Sequence, residues 1–316
     1  LICAHGSTSE NNPFESALDC GACGGNEGKP NARVLAMMAN NQKVRERLAK
    51  KGLVIPSDTH FMAGQVNTTT DGVQLFDLED APPTHRADIA RLTQDLHEAS
   101  RLTSLERCTR FPELTEPLPA PDSVAHVRRR SVDWSQVRPE WGLSSNTAFV
   151  IGRRDLTKGI NLDGRVFLQS YDYRVDLNGR MLEVLMTGPQ VVAQWINMEH
   201  YFSTVDNDVY GSGSKIYHNV VGRFGIMSGP GSDLRLGLAL QTVMNGDVPY
   251  HEPMRLLSVI EAPRERIVKL IARHEVLQQF FHNEWVHLVA LEPEDGVFYR
   301  YRPTGDWAKV DTGTGF

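Results

Sequence analysis

The chain opens on four apolar residues, Leu1–Ala4, which are followed by a polar and then a glycine-rich stretch. A short apolar run of this kind is typical of a core strand and predicts that Cys3 is buried. From Pro30 to about Lys51 the apolar residues recur largely at helical spacing, and Gly52 is a suitable helix stop. The order of strand, loop and helix predicts an α/β protein, in which a polar loop after a strand is where binding sites form.

The alternation of strand and helix continues downstream. A turn at Asp71-Gly72 separates two strand-like stretches, and Thr84 caps a second helix that runs to about Cys108. The other predicted elements are strands at 53–55, 60–67, 73–78, 147–151, 166–173 and 285–291 and helices at 189–201 and 263–281. Prolines form a stiff connector between two regions, at positions 112, 117, 119 and 121. We therefore predict two domains, residues 1–121 and 122–316, the second an α+β elaboration packed on the first.

The charge of the chain excludes a nucleic-acid partner. The net charge is −6, and the densest basic run, Arg128–Arg130, is too short to form an electrostatic footprint for nucleic acid. The most apolar window, Met181–Ile196, is interrupted by polar residues and falls short of the roughly 18 to 20 consecutive apolar residues that a membrane helix needs. The composition favours small molecules or proteins as partners, and a membrane would be reached through a partner.

The cysteines point to metal chemistry. The chain has four, which are too few for a disulfide scaffold, and Cys20 and Cys23 lie two apart in a glycine-rich segment downstream of His5. Zinc favours thiolate and imidazole ligands, and glycines let the backbone curl to present a thiolate. Three alternatives remain open. The same residues suit a cysteine nucleophile activated by His5, a structural zinc knuckle, or small buried side chains.

Other residues have both a functional and an ordinary structural interpretation. Ser7, Asp19 and Cys23 are candidates for hydrogen bonds around a metal site, or for turn and solvated positions. Three later histidines lack the spacing of metal ligands: His200, His218 and His251. Four aromatic residues form either an interface for a membrane partner or part of a packed core: Trp195, Tyr201, Phe202 and Tyr210.

A series of motifs resembles one known family. The first are residues 5–13 (HGSTSENNP), 19–26 (DCGACGGN) and 30–33 (PNAR). Further matches follow in order along nearly the whole chain, at residues 138–142, 195–203, 210–215, 232–235, 251–256 and 283–286. The chain is similar to the inorganic carbon transporter subunit DabA family, whose members are β-carbonic-anhydrase-like. Because it lacks an initial Met and opens on a strand, we expect it to be the C-terminal portion of such a protein.

The resemblance implies a zinc site of two cysteines, one histidine and one aspartate, arranged as in a β-carbonic anhydrase. His5 matches the histidine and Cys20 matches the second cysteine. The first cysteine and an aspartate–arginine pair lie, in the family, in a segment upstream of the histidine that is absent here, so the catalytic residues are unknown. The resemblance also implies that residues 1–121 form the downstream half of a β-carbonic-anhydrase-like core.

The same resemblance implies a function in inorganic carbon uptake. Zinc lowers the pKa of a bound water to about 7, so that a zinc-bound hydroxide hydrates CO2 to bicarbonate, in one direction only. The partner is an integral membrane, proton-channel-like subunit, DabB, and the chain is expected at the cytoplasmic side of the cell inner membrane as a peripheral subunit. The alternative is a non-catalytic subunit that binds bicarbonate or couples transport and whose zinc is structural.

Overall fold

The computed structural model describes residues 1–8, 26–111, 113–133, 143–212, 227–230, 233–238 and 240–311. Helices and strands alternate along these residues, which confirms the α/β class. The chain divides into two compact units. The first comprises Leu1–Gly142, Gly213–Gln241 and Asn245–Asp247, and the second comprises Leu143–Ser212, Thr242–Met244 and Val248–Phe316.

The first unit contains a three-stranded sheet with helices. Its strands are β1 (Ile2–Gly6), β2 (Ala63–Asn67) and β3 (Val73–Phe76), with β1 parallel and β3 antiparallel to β2. Its helices are α1 (Lys29–Asn40), α2 (Gln42–Ala49), α3 (Arg86–Cys108) and α4 (Ala120–Val132), with 3₁₀ turns at Leu78–Asp80 and Pro83–His85. The small core beneath the sheet consists of Ala32, Ala36 and Ala63, against which Ile2 and Ala4 pack.

The long helix predicted from Pro30 is two helices. Asn41 is extended, with φ −74° and ψ 123°, and this ends α1. Its side-chain Oδ1 accepts hydrogen bonds from the backbone N–H groups of Lys43 and Val44, at 3.0 and 3.3 Å. Asparagine is a good N-cap for this reason, and it starts α2 while it interrupts the helical spacing.

The segment after α2 closes the helix and forms no strand. Gly52 has φ 89°, its N–H donates to Ala49 at 3.0 Å, and the N–H of Leu53 donates to Leu48 at 3.0 Å. This is the Schellman arrangement, in which glycine takes the left-handed position. The stop predicted at Gly52 is confirmed, whereas the strand predicted at 53–55 is wrong because its first residue belongs to the helix cap.

Two prolines predicted as part of the domain connector, Pro117 and Pro119, lie between two packed helices, and Pro121 is in the first turn of α4. The ring of Phe111, just after α3, lies 5.7 Å from that of His126 on α4, centroid to centroid, and the Arg130 guanidinium lies 4.5 Å from the Phe111 ring. The Sγ of Cys108 donates to the carbonyl of Ser123 at 3.7 Å. The compact units divide after Gly142, and the predicted domain boundary at residue 121 stays a prediction. The assignment of residues 1–121 to a carbonic-anhydrase-like core stays a prediction.

The second unit contains a six-stranded sheet. Its strands begin with β4 (Ala148–Gly152) and β5 (Val166–Ser170). Four two-residue strands follow along the chain: β6 (Met227–Ser228) and β7 (Asp233–Leu234), which belong to the first unit, β8 (Met244–Asn245), whose two residues belong to different units, and β9 (Val248–Pro249). The sheet is completed by β10 (Leu256–Glu261), β11 (Val286–Leu291), β12 (Phe298–Tyr301) and β13 (Trp307–Lys309). The order in the sheet is β13-β12-β11-β10-β4-β5, in which β5, β4, β10 and β11 are parallel and β12 pairs antiparallel with both β11 and β13. The helices of the second unit are α5 (Arg180–Thr187), α6 (Pro189–Asp206), α8 (Arg264–Arg273) and α9 (Glu275–His282), and the short α7 (Leu240–Val243) has residues in both units.

The central strand β10 was not predicted from the sequence. Leu256 and Ile260 are fully buried, but Ser258 lies between them and Glu261 ends the strand, so that the apolar pattern is broken. The Glu261 carboxylate is buried because Arg153 binds it, with an Nε–Oε1 distance of 2.8 Å and a backbone N–H donor at 3.0 Å. A partner more than a hundred residues away in sequence thus allows a charge at the end of a central strand.

In the part of the chain that the structure describes, no helix is long and apolar enough to cross a membrane.

Candidate functional site at the carboxyl end of β1

His5 lies near the carboxyl end of β1, opposite Val66 of the parallel strand β2. Successive side chains of a strand point to opposite faces. Ile2 and Ala4 pack on the apolar core, so Cys3 and His5 belong to the other face of the strand. Cys3 is exposed, and its predicted burial is therefore wrong. The same alternation directs the imidazole of His5 away from the apolar core.

Helix α1 begins directly beside His5. The backbone N–H of Gly28 donates to the His5 carbonyl at 2.8 Å, and the N–H of Lys29 donates to Oε1 of Gln65 on β2 at 2.9 Å. A Cβ atom on Gly28 would lie 2.8 Å from the Cβ of Ala4, closer than such atoms approach. Glycine at this position lets the helix start against the strand.

The loop after β1 is bound to the turn between β2 and β3. The Gly6 carbonyl accepts the backbone N–H of Thr68 at 2.8 Å, and the N–H of Thr8 donates to Oγ1 of Thr69 at 2.9 Å. The Asn67 amide bridges both segments, since its Nδ2 donates to Thr8 Oγ1 at 3.2 Å and its Oδ1 accepts from Thr69 Oγ1 at 2.9 Å. We call these five residues the threonine latch. It fixes the backbone that leads from His5 into the loop.

A buried ion pair supports the same turn. Arg107 of α3 donates to both carboxylate oxygens of Asp71, at 3.0 Å from Nε and 2.7 Å from Nη2. The Asp71 side chain is 5% exposed, and its backbone is left-handed with φ 59°. The sequence indicated a turn at Asp71 but not this partner, which lies 36 positions away. The bidentate geometry holds α3 against the loop cluster at the end of β1 and β2.

Most of the other residues predicted for this site, the ligand Cys20 and its candidate hydrogen-bonding neighbours, lie outside the described residues. Ser7 is partly buried in the loop after β1. Cys20, Asp19 and Cys23 fall in a stretch that the structure does not describe. Among the residues that it does describe, no three His, Cys, Asp or Glu side chains converge where they could hold a metal ion. His5 and Cys20 supply imidazole and thiolate, a donor set that suits zinc.

The other predicted candidates have mixed outcomes. His218 lies outside the described residues, whereas the rings of His200 and His251 meet in the second unit with centroids 5.4 Å apart. The aromatic residues do not form one packed core, because Trp195 is 61% and Tyr210 is 59% exposed. The sequence placed the two histidines far apart, and only the tertiary fold brings them together.

Comparison with known proteins finds similarity to proteins that are named probable inorganic carbon transporter subunits. A family model described as "Probable inorganic carbon transporter subunit DabA" matches residues 1–286, and the chain belongs to this family. This confirms the resemblance seen in the motifs.

Curated relatives with the same description match nearly the whole chain. A protein of Aquifex aeolicus is 52% identical over 99% of this chain, one of Thiobacillus denitrificans is 52% identical over 96%, and one of Legionella pneumophila is 48% identical over 98%. The chain spans 31%, 30% and 40% of the length of these relatives, respectively. No solved structure matches the chain.

Proposed function

We propose that this chain carries His5 and Cys20 as two ligands of a zinc site that hydrates CO2 to bicarbonate within an inorganic carbon uptake complex. The observation that carries the proposal is the position of His5. It lies near the carboxyl end of a strand with a parallel neighbour, on the face away from the apolar core, and Cys20 follows it by 15 positions in the sequence. Sites of α/β proteins form at such strand ends. Membership of the DabA family supports the substrate class.

The residues of this chain hold and orient the donors in this proposal. The hydrogen bond from Gly28 to the His5 carbonyl fixes the backbone that bears the imidazole, and the threonine latch fixes the loop that continues toward Cys20. Ser7, Asp19 and Cys23 are proposed to hydrogen-bond around the ligands, as zinc ligands require to keep their orientation. Zinc, when bound, supplies an activated water at neutral pH for attack on CO2.

We further propose that the chain works at a membrane through a partner. The relatives are named as transporter subunits, which favours a complex with other subunits. The proposed partner is DabB, an integral membrane, proton-channel-like subunit, and the proposed location is the cytoplasmic side of the cell inner membrane.

Zinc content tests the proposal. Zinc is measured by elemental analysis in this chain and in a version extended upstream. Each is analysed as the unaltered sequence and as the ligand variants His5→Ala and Cys20→Ala. The matched controls replace exposed residues, in Cys3→Ala and His97→Ala. We expect one zinc per extended chain, lost in both ligand variants and kept in both controls. Zinc that persists in His5→Ala, or that depends on Cys23 in this chain alone, would remove the basis of the proposed mechanism.

Exchange activity separates catalysis from coupling. CO2–bicarbonate isotope exchange is measured on the zinc-loaded full-length protein, alone and with its membrane partner. Exchange that requires His5 in either preparation supports hydration. Zinc without exchange in both preparations would instead identify a non-catalytic coupling subunit with structural zinc.

A further inference from the structure

A second polar cluster lies in the second unit, on one face of α6. Four amide and imidazole side chains of this helix are 3% exposed or less and recur at spacings of four, three and three: Gln190, Gln194, Asn197 and His200. At about 100° per residue they fall within roughly 120° of the helix circumference. A buried stripe of this kind is unusual, because helices of globular proteins turn an apolar stripe to the core.

The segment just before β4 binds this stripe to the chain around His251. The backbone N–H of Ser145 donates to Nδ1 of His251 at 2.8 Å, and Nδ2 of Asn197 donates to Oδ1 of Asn146 at 2.8 Å. Ser144 donates its hydroxyl to the carbonyl of Thr242. Ser145 has φ 60°, a left-handed conformation that serine rarely adopts. Three consecutive residues thus hold Thr242, His251 and α6 together.

The hydrogen bonds of the two rings define their tautomers. Nδ1 of His200 lies 2.7 Å from the Ile196 carbonyl, which only accepts, so Nδ1 carries the proton and Nε2 has the lone pair. In His251, Nδ1 accepts from Ser145, so Nε2 carries the proton. Burial lowers the pKa of both rings to about 4, which keeps them neutral near pH 7. The pair therefore presents one acceptor and one donor.

The Nε2 atoms of His200 and His251 are buried and have no hydrogen-bond partner in the described part of the chain. The same is true of Oδ1 of Asn197 and Oγ1 of Thr242. Buried polar atoms are almost always hydrogen-bonded, and the exceptions point to a bound polar molecule or a functional role. A metal ion does not suit the pair, because it needs a lone pair where Nε2 of His251 carries a proton. A small ligand that carries both a hydroxyl and an acceptor oxygen would satisfy both nitrogens.

A positive charge lies next to the pair. Nε of Arg165 donates to the carbonyl of Ser145 at 3.0 Å, and its charge contributes to the lowered pKa of His251. Its Nη2 also pairs with Glu252 at 2.6 Å. Because Glu252 balances this charge, the donors Nε2 of His251 and Oγ1 of Thr242, rather than a net positive charge, would hold the ligand.

We propose that His200 and His251 form a bicarbonate site distinct from the zinc site. The bicarbonate hydroxyl donates to Nε2 of His200, an oxygen of the anion accepts from Nε2 of His251, and the Thr242 hydroxyl donates to a further oxygen. The choice of bicarbonate among hydrogen-bearing oxyanions rests on the proposed function. Nitrate has the same planar shape but no hydroxyl, so the lone pair of His200 rejects it.

Equilibrium dialysis with labelled bicarbonate at pH 8 tests this site on the full-length protein after zinc has been removed with a chelator. We expect about one bicarbonate per chain that equimolar nitrate does not displace. His200→Asn keeps a donor for the Ile196 carbonyl, and His251→Asn keeps an acceptor for Ser145, while each removes Nε2. Each variant should weaken binding about tenfold, the effect of one buried hydrogen bond. Exposed His97→Asn is the control.

The outcomes separate this site from the zinc proposal. Thr242→Val removes one hydroxyl at nearly constant volume and should also weaken binding, which covers the case in which a histidine variant does not fold. Binding that survives in His5→Ala while zinc is lost shows that the anion does not bind at the zinc site, and its loss in the histidine variants places it at the pair. Absent binding in the zinc-free protein, equal competition by nitrate, tighter binding of phosphate than of bicarbonate, or unchanged affinity in the folded variants would each overturn the bicarbonate site.

Discussion

The two units are held together in different ways. In the second unit a six-stranded sheet buries a large apolar cluster that includes Ile151, Leu182, Ile260 and Leu288. In the first unit the buried members of the apolar cluster under β1 and β2 are three alanines, against which partly buried Ile2, Ala4, Phe61 and Phe76 pack. The end of this sheet is held by the threonine latch and by the Asp71–Arg107 pair. Apolar burial is tolerant of direction, whereas hydrogen bonds and bidentate ion pairs fix geometry. The difference indicates that the proposed zinc-site end is organised for position more than for stability.

The largest loss of stability is expected from a substitution in the core of the second unit. Ile260→Ala removes a fully buried side chain at the centre of the sheet and should lower the free energy of unfolding by about 4 kcal/mol. Hydrogen exchange measured by peptide should rise in residues 256–291. Ile160→Ala, at a position that is 59% exposed, is the matched control and should change little. Equal acceleration of exchange in residues 63–76 would show that the two units do not respond separately.

A somewhat smaller effect is expected from the ion pair of the first unit. Arg107→Met leaves the buried carboxylate of Asp71 without its bidentate partner and should cost about 3 kcal/mol of stability. Hydrogen exchange should rise in residues 63–76, and zinc content should fall if this turn positions the site. Arg101→Met, which breaks an exposed pair with Glu98, is the control and should cost less than about 1 kcal/mol. A variant as stable as the control would mean that apolar packing holds this end of the sheet.

The smallest expected effect is the pH dependence of stability that the buried histidines of the second unit cause. The pKa values of His200 and His251 are lowered to about 4 from 6.5, so the unfolded chain binds protons that the folded chain rejects. Stability should therefore fall as the pH decreases below 6.5, by about 1 kcal/mol for each ring between pH 6.5 and 5.5. Urea unfolding at the two pH values measures this. The double variant His200→Asn/His251→Asn should flatten the dependence, and an unchanged slope would show that other groups cause it.

Local patterns were sufficient for many elements of the fold. The strands at 147–151 and 285–291 and the helix from Pro189 are present with nearly the predicted bounds, because each is marked by residues next to it in sequence. The apolar pattern did not predict the break between α1 and α2, because there the side chain of Asn41 accepts a hydrogen bond from a backbone N–H group of the next helix. It was also insufficient at the helix predicted over 263–281, which is interrupted where His274 takes an extended conformation, with φ −122° and ψ 116°.

For the candidate sites, too, the sequence predicted some features and not others. The motifs around His5 and Cys20 were sufficient to predict the family, because their order along the chain is a property of the sequence. The zinc ligation itself stays a prediction. The Asp71–Arg107 pair and the meeting of His200 with His251 had no sequence signal, since their members lie 36 and 51 positions apart.

The sequence by itself determined the α/β class, the family and the strand that carries His5, because periodicity, turn residues and motifs act over short distances along the chain. Only the tertiary structure decided which face of that strand is buried, which acids find a basic partner, and which histidines become neutral. These properties depend on desolvation and on contacts between residues remote in sequence, and both arise only when the chain has packed.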